Sequence, residues 1–266
     1  MQAFVINLQR SADRRHHILE QLSKTSLEYH LVEATDGQLI DTTDVNVASP
    51  EWKGREVTSP GVLGCSLSHL RVYEAVLEAG VDSALVLEDD IMLSADIAPL
   101  AEEAASHMEL AEVLLLHIGC PNPPSQFSRQ GVVQLSSGHL IAYPMDLVNV
   151  AATGAYVITA EACRRMRARL LPIRVPADDW FYFHSQGILD RVRCVAPLPT
   201  RINPSFGSTI YHGTYSWRDY IYRTLEHVPV QPAKALVSLR RERYYKRATS
   251  LQLVEEASPY WLSQRS

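Results

Sequence analysis

A chain of 266 residues with 46% hydrophobic and 21% charged residues has an ordinary globular composition and length enough for a sizeable core, as one large domain or two small ones. Its net charge of −5 offers no basic excess, which speaks against general nucleic-acid binding. No window reaches the roughly 18 uninterrupted apolar residues of a transmembrane helix.

The first segment, Met-Gln-Ala-Phe-Val-Ile-Asn-Leu, lacks a basic region and breaks its apolar run at Asn7, so it predicts a strand over 4–8 and not a signal peptide. Ser11 then starts a helix with Ile18, Leu19 and Leu22 at helical spacing, and a second strand spans 29–34. Strand–helix–strand opens a βαβ unit, whose ligands bind beyond the carboxyl ends of its strands. Asn7, Arg10 and Arg14 gather there. Arginine forks onto phosphate oxygens, so the cluster suits a diphosphate; a solvated basic helix start is the plainer account. Neither GxGxxG nor GxxxxGK[ST] is present. Gly37 permits a tight turn after the second strand, and Asp36 can accept from a ribose or a base. Residues 38–60, with Trp52, form a long irregular loop.

Gly61 and Gly64 open the next helix, whose stripe of Leu67, Leu70, Tyr73, Val76 and Leu77 runs to Gly80. The glycines allow close approach to the helix start, and Ser68 and His69 face the same region, where a histidine is commonly a packing residue. Residues 84–90, Ala-Leu-Val-Leu-Glu-Asp-Asp, are the most informative stretch. The apolar run predicts a strand buried on both faces, with Glu88, Asp89 and Asp90 where it leaves the sheet. Three adjacent carboxylates repel one another unless something positive binds them. A hard cation, Mg2+ or Mn2+, prefers such oxygens and bridges them to phosphates. An acidic turn with Asp89 or Asp90 capping a helix is the alternative.

A helix over 96–107, a strand over 112–118, an exposed loop over 121–137 and strands over 139–143 and 154–159 follow, with 145–153 a segment beside the site. The alternation is α/β. Residues 160–171 form a basic helix with its charges in solvent. Asp178 and Asp179 stand at a helix start beside Trp180, Phe181 and Tyr182. Acids there complement the helix dipole. A partly desolvated carboxylate among rings that pack on sugar faces also has the makings of a general base. A last strand spans 193–196, a loop over 197–214 carries Asn203, Ser205 and His212, and a helix spans 215–227. Residues 233–247, from Ala233 to Arg247, set six basic residues against Glu242 with apolar residues between, which suits an anionic membrane surface or plain solvation. Cys65, Cys120, Cys163 and Cys194 show no CxxC or CxxH spacing, so reduced, mostly buried thiols in a reducing compartment are expected, and no structural zinc.

In order along residues 1–205 stand Val5-Ile6-Asn7-Leu8 with Arg10 and Asp13-Arg14-Arg15, Ala34-Thr35-Asp36-Gly37, and Gly61-x-x-Gly64-Cys65-x-Leu67-Ser68-His69. Then come Leu87-Glu88-Asp89-Asp90, Gly154-Ala155-Tyr156-Val157-Ile158 and Pro176-x-Asp178. This ordered set resembles the family 25 glycosyltransferases, which include bacterial lipooligosaccharide galactosyltransferases and collagen galactosyltransferases. The tail from about Trp217 matches no motif. The resemblance implies an α/β GT-A fold over 1–215, with a Rossmann-like, mostly parallel sheet flanked by helices, and a helical basic tail over 216–266. It implies inverting transfer of galactose or glucose from UDP-Gal or UDP-Glc, with Mn2+ or Mg2+, to a saccharide acceptor of lipooligosaccharide, LPS or a similar glycan.

On that resemblance Asp90 is the main metal ligand, Glu88 reaches the ribose or the metal, and His212 is a late metal contact. Asn7, Arg10, Arg14, Asp36, Gly37, Gly64, Ser68, His69, Glu88 and Asp89 surround the donor nucleotide. Asp178 is the general base, with Asp179 its competitor. Asp90 and Asp178 are expected to flank one pocket at the C-terminal edge of the sheet. The expected setting is cytoplasmic, peripheral on the inner membrane through 233–247, with an oligosaccharide or glycolipid acceptor and no nucleic-acid partner. An inactive member that binds glycans or scaffolds an assembly is the alternative. A nucleotidyltransferase or phosphohydrolase using the same acids is a third reading, disfavoured by the missing glycine-rich phosphate loop.

Overall fold

A computed structural model of the chain describes residues 1–41, 43–44, 46, 59–119, 126–203, 205–206 and 252–262. The expectations for Trp52, Cys120, His212, the helix over 215–227 and the basic segment over 233–247 lie outside the described residues.

Eight strands form the central sheet: β1 (Gln2–Asn7), β2 (Glu28–Glu33), β3 (Ser83–Glu88), β5 (Glu112–Leu115), β7 (Val133–Gln134), β8 (Leu140–Ala142), β9 (Ala155–Thr159) and β10 (Arg191–Ala196). Their order is β2-β1-β3-β9-β5-β10-β8-β7. Only β8 and β9 run against the rest, so the sheet is mostly parallel, Rossmann-like and flanked by helices, as the resemblance implies. The period of two along each strand sorts side chains to the two faces. Phe4, Ile6, Val86, Tyr156 and Ile158 meet α2 (Pro60–Ala79), α4 (Ala160–Arg169) and α5 (Trp180–Ser185). Ala3, Val5, Leu85, Leu87 and Val157 meet α1 (Ala12–Leu22) and α3 (Ile97–Ser106). Leu85, Val86 and Leu87 are fully buried. Each such side chain contributes about 1.5–3 kcal/mol on leaving water, which holds β3 in the centre of the sheet.

Local chemistry sets the helix ends that matter. Ser59 caps α2 by accepting from the Val62 N–H at 3.4 Å, Pro60 occupies the first turn, and Gly80 ends the helix at φ 67°. The connection through α1 lies on one face and that through α2 on the other, so the crevice opens at the carboxyl ends of β1 and β3. Because β9 runs antiparallel, its first residues reach that same edge, where the Glu88 N–H donates to the Gly154 carbonyl at 2.8 Å.

Several boundaries differ from the sequence reading. The acidic strand stops at Glu88, and Asp89 and Asp90 make a turn into β4 (Ile91–Leu93). That short strand pairs with β11 (Thr200–Ile202), inside a stretch expected to be loop. The expected loop over 121–137 likewise holds β6 (Gln126–Ser128) and β7; β6 pairs with β12 (Gln252–Val254). Ser258, just before α6 (Pro259–Leu262), donates to the Pro144 carbonyl at 2.9 Å, so residues 252–262 pack on the sheet domain. At the edge opposite the crevice, Arg193 and Glu112 form a buried ion pair at 2.5 Å, with the guanidinium also donating to the His107 carbonyl at 2.6 Å. Trp180 is buried in the core and its indole N–H donates to the Ala152 carbonyl at 3.2 Å, so it is a packing residue and not a ring beside a sugar. Among the described residues no helix is long and apolar enough to cross a membrane.

Candidate active site

A cleft of about 510 Å³ opens at the carboxyl ends of β1 and β3. Of the residues expected around a donor nucleotide, Arg10, Arg14, Asp36, Gly37, Gly64, Ser68, His69, Glu88 and Asp89 line it, and Asn7 is buried beneath. Many of them also hold the wall together. The Asn7 amide donates to Asp89 Oδ2 at 2.7 Å and to the Ser11 carbonyl at 3.2 Å. Ser68 donates to the Gly64 carbonyl at 2.6 Å and accepts from the Thr35 N–H at 2.9 Å, which ties α2 to the end of β2. Arg10 and Asp36 form an ion pair at the rim, and Asp36 also accepts from the Gln38 N–H at 3.0 Å.

The glycines serve close approach of backbone to backbone. A Cβ on Gly37 would sit 1.8 Å from the Pro60 carbonyl oxygen, and one on Gly64 2.8 Å from the Gly37 nitrogen. The start of α2 therefore seats directly on the turn after β2.

The three consecutive acids meet three different environments. Asp89 is buried and accepts from Asn7 and from Arg14 Nη1, the latter at 3.1 Å; burial nevertheless holds its carboxyl above the ordinary value. Asp90 accepts from the same Arg14 nitrogen at 3.2 Å and is pushed up to about 7, first by burial and then by the Glu88 charge, against the pull of Arg14. Glu88 is lowered: burial acts to raise it, but His69, the Thr153 hydroxyl and His117 together outweigh that. Asp89 and Asp90 thus share one Arg14 nitrogen, while Glu88 turns to the Thr153 hydroxyl and His69. A hard divalent cation would relieve the repulsion between Asp90 and Glu88, the two that would hold it, because Asp89 is already committed to Asn7 and Arg14. The turn itself is braced by the Asn203 N–H, which donates to the Asp90 carbonyl at 2.7 Å, and Arg14 lies 5.4 Å over the Phe206 ring.

Asp178 and Asp179 separate clearly. Asp179 caps α5, accepting from the Tyr182 N–H at 3.1 Å. Asp178 Oδ2 accepts from the Ala152 N–H at 3.1 Å, and burial raises its carboxyl, with that hydrogen bond opposing and Glu88 adding. The next residue, Thr153, donates to Glu88 Oε1 at 2.5 Å. One stretch of backbone, Ala152–Thr153, therefore links the base candidate to the metal candidate. Ala152 holds φ 95°, a conformation L-residues rarely adopt, with its N–H on Asp178 and its carbonyl on Trp180. Neither Asp90 nor Asp178 lines the cleft. Both act, with Glu88, on the Cys65 thiol in the cleft wall, which burial and these charges push far up. Both carboxylates therefore lie within electrostatic reach of one side chain of the cleft wall. The segment 145–153 lies beside the site as expected, and Tyr156 belongs to the Gly154–Ile158 stretch that carried the resemblance, but none of Ala152, Thr153 and Tyr156 was singled out individually. Cys65 and Cys163 are free thiols, and Cys163 and Cys194 are buried.

Residues 1–181 match the model of glycosyltransferase family 25, described as LPS biosynthesis protein. The chain is 34% identical over 96 residues to procollagen galactosyltransferase 2 of Homo sapiens, covering 33% of this chain and 15% of that protein. It is 27% identical over 190 residues to the probable inactive glycosyltransferase 25 family member 3 of Bos taurus, covering 65% of this chain and 30% of that protein. The chain therefore spans less than a third of the length of these curated relatives. Among solved structures, the galactosyltransferase LgtC with donor and acceptor sugar analogs is 12% identical at a TM-score of 0.36, covering 96% of this chain and 84% of that one.

Proposed function

The chain belongs to glycosyltransferase family 25, and on that footing we propose that it moves a hexose, galactose or glucose, from a UDP-sugar to a saccharide acceptor with inversion at the anomeric carbon. The observation that carries this reading is the Ala152–Thr153 segment, which ties Asp178 and Glu88 together at the edge where the cleft opens. In an inverting transfer the acceptor oxygen bonds to the anomeric carbon as the bond from that carbon to the diphosphate breaks, and the acceptor proton passes to a base. Asp178 takes that proton, and its partial desolvation makes it a better base than an exposed carboxylate. Arg10 and Arg14 lie on the diphosphate side, where positive charge favours the transition state over the ground state because the leaving group gathers charge. Mn2+ or Mg2+ held by Asp90 and Glu88 supplies further positive charge at the same place when bound. The acceptor in this reading is a lipooligosaccharide, LPS or similar glycan, or a glycolipid. The setting is cytoplasmic, with residues 233–247 resting on an anionic membrane surface; retention of the full chain by anionic liposomes, lost on deleting that segment, is the check.

A catalytically inactive, glycan-binding role is the second reading, favoured by relatives in Bos taurus and Homo sapiens named as inactive. A thermal-shift panel of UDP-Gal, UDP-Glc and UDP, with and without Mn2+, followed by a transfer assay on a saccharide acceptor, separates the two. Stabilisation by a UDP-sugar with metal-dependent turnover, lost in Asp90→Ala, supports the enzyme. Stabilisation without turnover favours the second reading, and no stabilisation by any UDP-sugar with Mn2+ present sinks the donor assignment.

A further inference from the structure

The cleft wall holds a group of side chains, Cys65, His69 and Glu88, of which the proposed transfer gives a chemical task only to Glu88. Cys65 and His69 stand four residues apart on α2, so helical geometry puts them on one face. That face meets the end of β3 at Glu88. Cys65 Sγ, a ring nitrogen of His69 and a carboxylate oxygen of Glu88 all lie within 4.8 Å of one another. His69 is 1% exposed. Its Nδ1 lies 2.8 Å from the Tyr156 hydroxyl, while its Nε2 has no hydrogen-bond partner and stands 3.6 Å from Glu88 Oε1. An imidazole anchored through one nitrogen, with the other bare and turned toward a thiol and a carboxylate, has the support that metal-ligating histidines have. The carboxylate is oriented as well, by the Thr153 hydroxyl at 2.5 Å.

From this geometry we propose that Cys65, His69 and Glu88 form a binding site for a borderline-soft divalent cation of the zinc type. One sulfur, one nitrogen and one oxygen donor suit Zn2+; Mg2+ and Ca2+ take oxygen. Metal–sulfur and metal–nitrogen bonds of about 2.3 and 2.1 Å place tetrahedral ligand atoms roughly 3.5 Å apart, so the side chains close by about 1 Å as the ion enters. On binding, the Cys65 thiol releases its proton to solvent as the sulfur–metal bond forms, and no oxidation state changes. All three residues line the cleft, so the fourth position faces it and takes water or a ligand atom. The site differs in donor chemistry from the all-oxygen pair of Asp90 and Glu88, shares only Glu88 with it, and does not depend on the donor reading being correct.

The test uses the purified, metal-free full chain with a non-thiol reductant. Titration with Co2+, which fills zinc sites, is expected to give a thiolate-to-cobalt charge-transfer band saturating at one ion per chain, displaced by Zn2+ and absent from a folded Cys65→Ser variant. No band in the native chain, or a band that survives in Cys65→Ser, overturns the assignment. A second measurement needs no variant: alkylation of Cys65 by iodoacetamide, read by peptide mass mapping. Zn2+ is expected to slow it by about tenfold or more, because the metal occupies the nucleophilic sulfur. Equal rates with and without Zn2+, or equal protection by Mg2+, overturn it.

Discussion

Replacing Asp90 by asparagine is expected to stabilise the metal-free protein while removing its metal response. The Asp90 carboxyl is raised from 3.8 to about 7 by burial and by Glu88. A carboxyl raised in the folded state holds its proton more tightly there, so the associated stability is full below pH 3.8 and is lost as pH rises through 7. A shift of about three units is worth on the order of 4 kcal/mol. Asparagine keeps the shape and can still accept from Arg14, but forgoes a charge-assisted bond worth about 1.5–3 kcal/mol. The net gain at pH 8 in chelator is then about 1–2.5 kcal/mol, or about 2–5 °C in melting temperature for a chain of this size. At pH 5 the native carboxyl is already protonated and the gain disappears. Adding Mn2+ at pH 8 reverses the order, because the native protein gains from binding and the variant does not. Differential scanning fluorimetry across this grid is the assay. A variant less stable than native at pH 8 in chelator, or one whose difference from native is the same at pH 5 and pH 8, refutes the reasoning.

Asp178→Asn is expected to lower kcat by about 10²- to 10⁴-fold and leave donor affinity unchanged, since a base acts only in the transition state; calorimetry with a UDP-sugar beside steady-state kinetics reads both, and equal loss in the two removes the role. Gly64→Ala is expected to cost about 1–3 kcal/mol, because the added methyl meets the Gly37 backbone, which has no flexible end to give; an unchanged urea midpoint would contradict the contact. Arg193→Met is expected to cost about 3–5 kcal/mol by stranding the buried Glu112 carboxylate, and Glu112→Leu in the same chain to recover most of it; a double variant as unstable as the single one would show that packing, not charge, is lost.

The sheet was legible because its signals are local. An apolar run such as 84–87 needs no partner to show that both its faces are buried, and alternating strands and helices leave few topologies. Which residues gather at the carboxyl edge follows from that topology, so the wall of the cleft could be anticipated from Arg10 to Asp89. What each polar atom does there could not. Asn7 and Asp89 are 82 positions apart, and only their distance shows that they satisfy each other. The glycines were visible as places of close approach, but what approaches, the turn after β2, required backbone positions.

The segment 145–153 was legible as a neighbour of the site, but what Ala152 and Thr153 bond to there was not, and the reason is strand direction. An apolar run of five or six residues carries no mark of which way it will lie, since either direction buries the same side chains. Because β9 runs antiparallel between β3 and β5, the residues before it arrive at the carboxyl edge, and Thr153 meets Glu88. Laid parallel, the same strand would deliver Thr153 to the opposite edge, beside the Arg193–Glu112 pair, and leave Asp178 without the Ala152 N–H. The connection between the two acids is therefore a property of the sheet's one reversed central strand, and a variant that loosens the start of β9 should disturb Asp178 and Glu88 together.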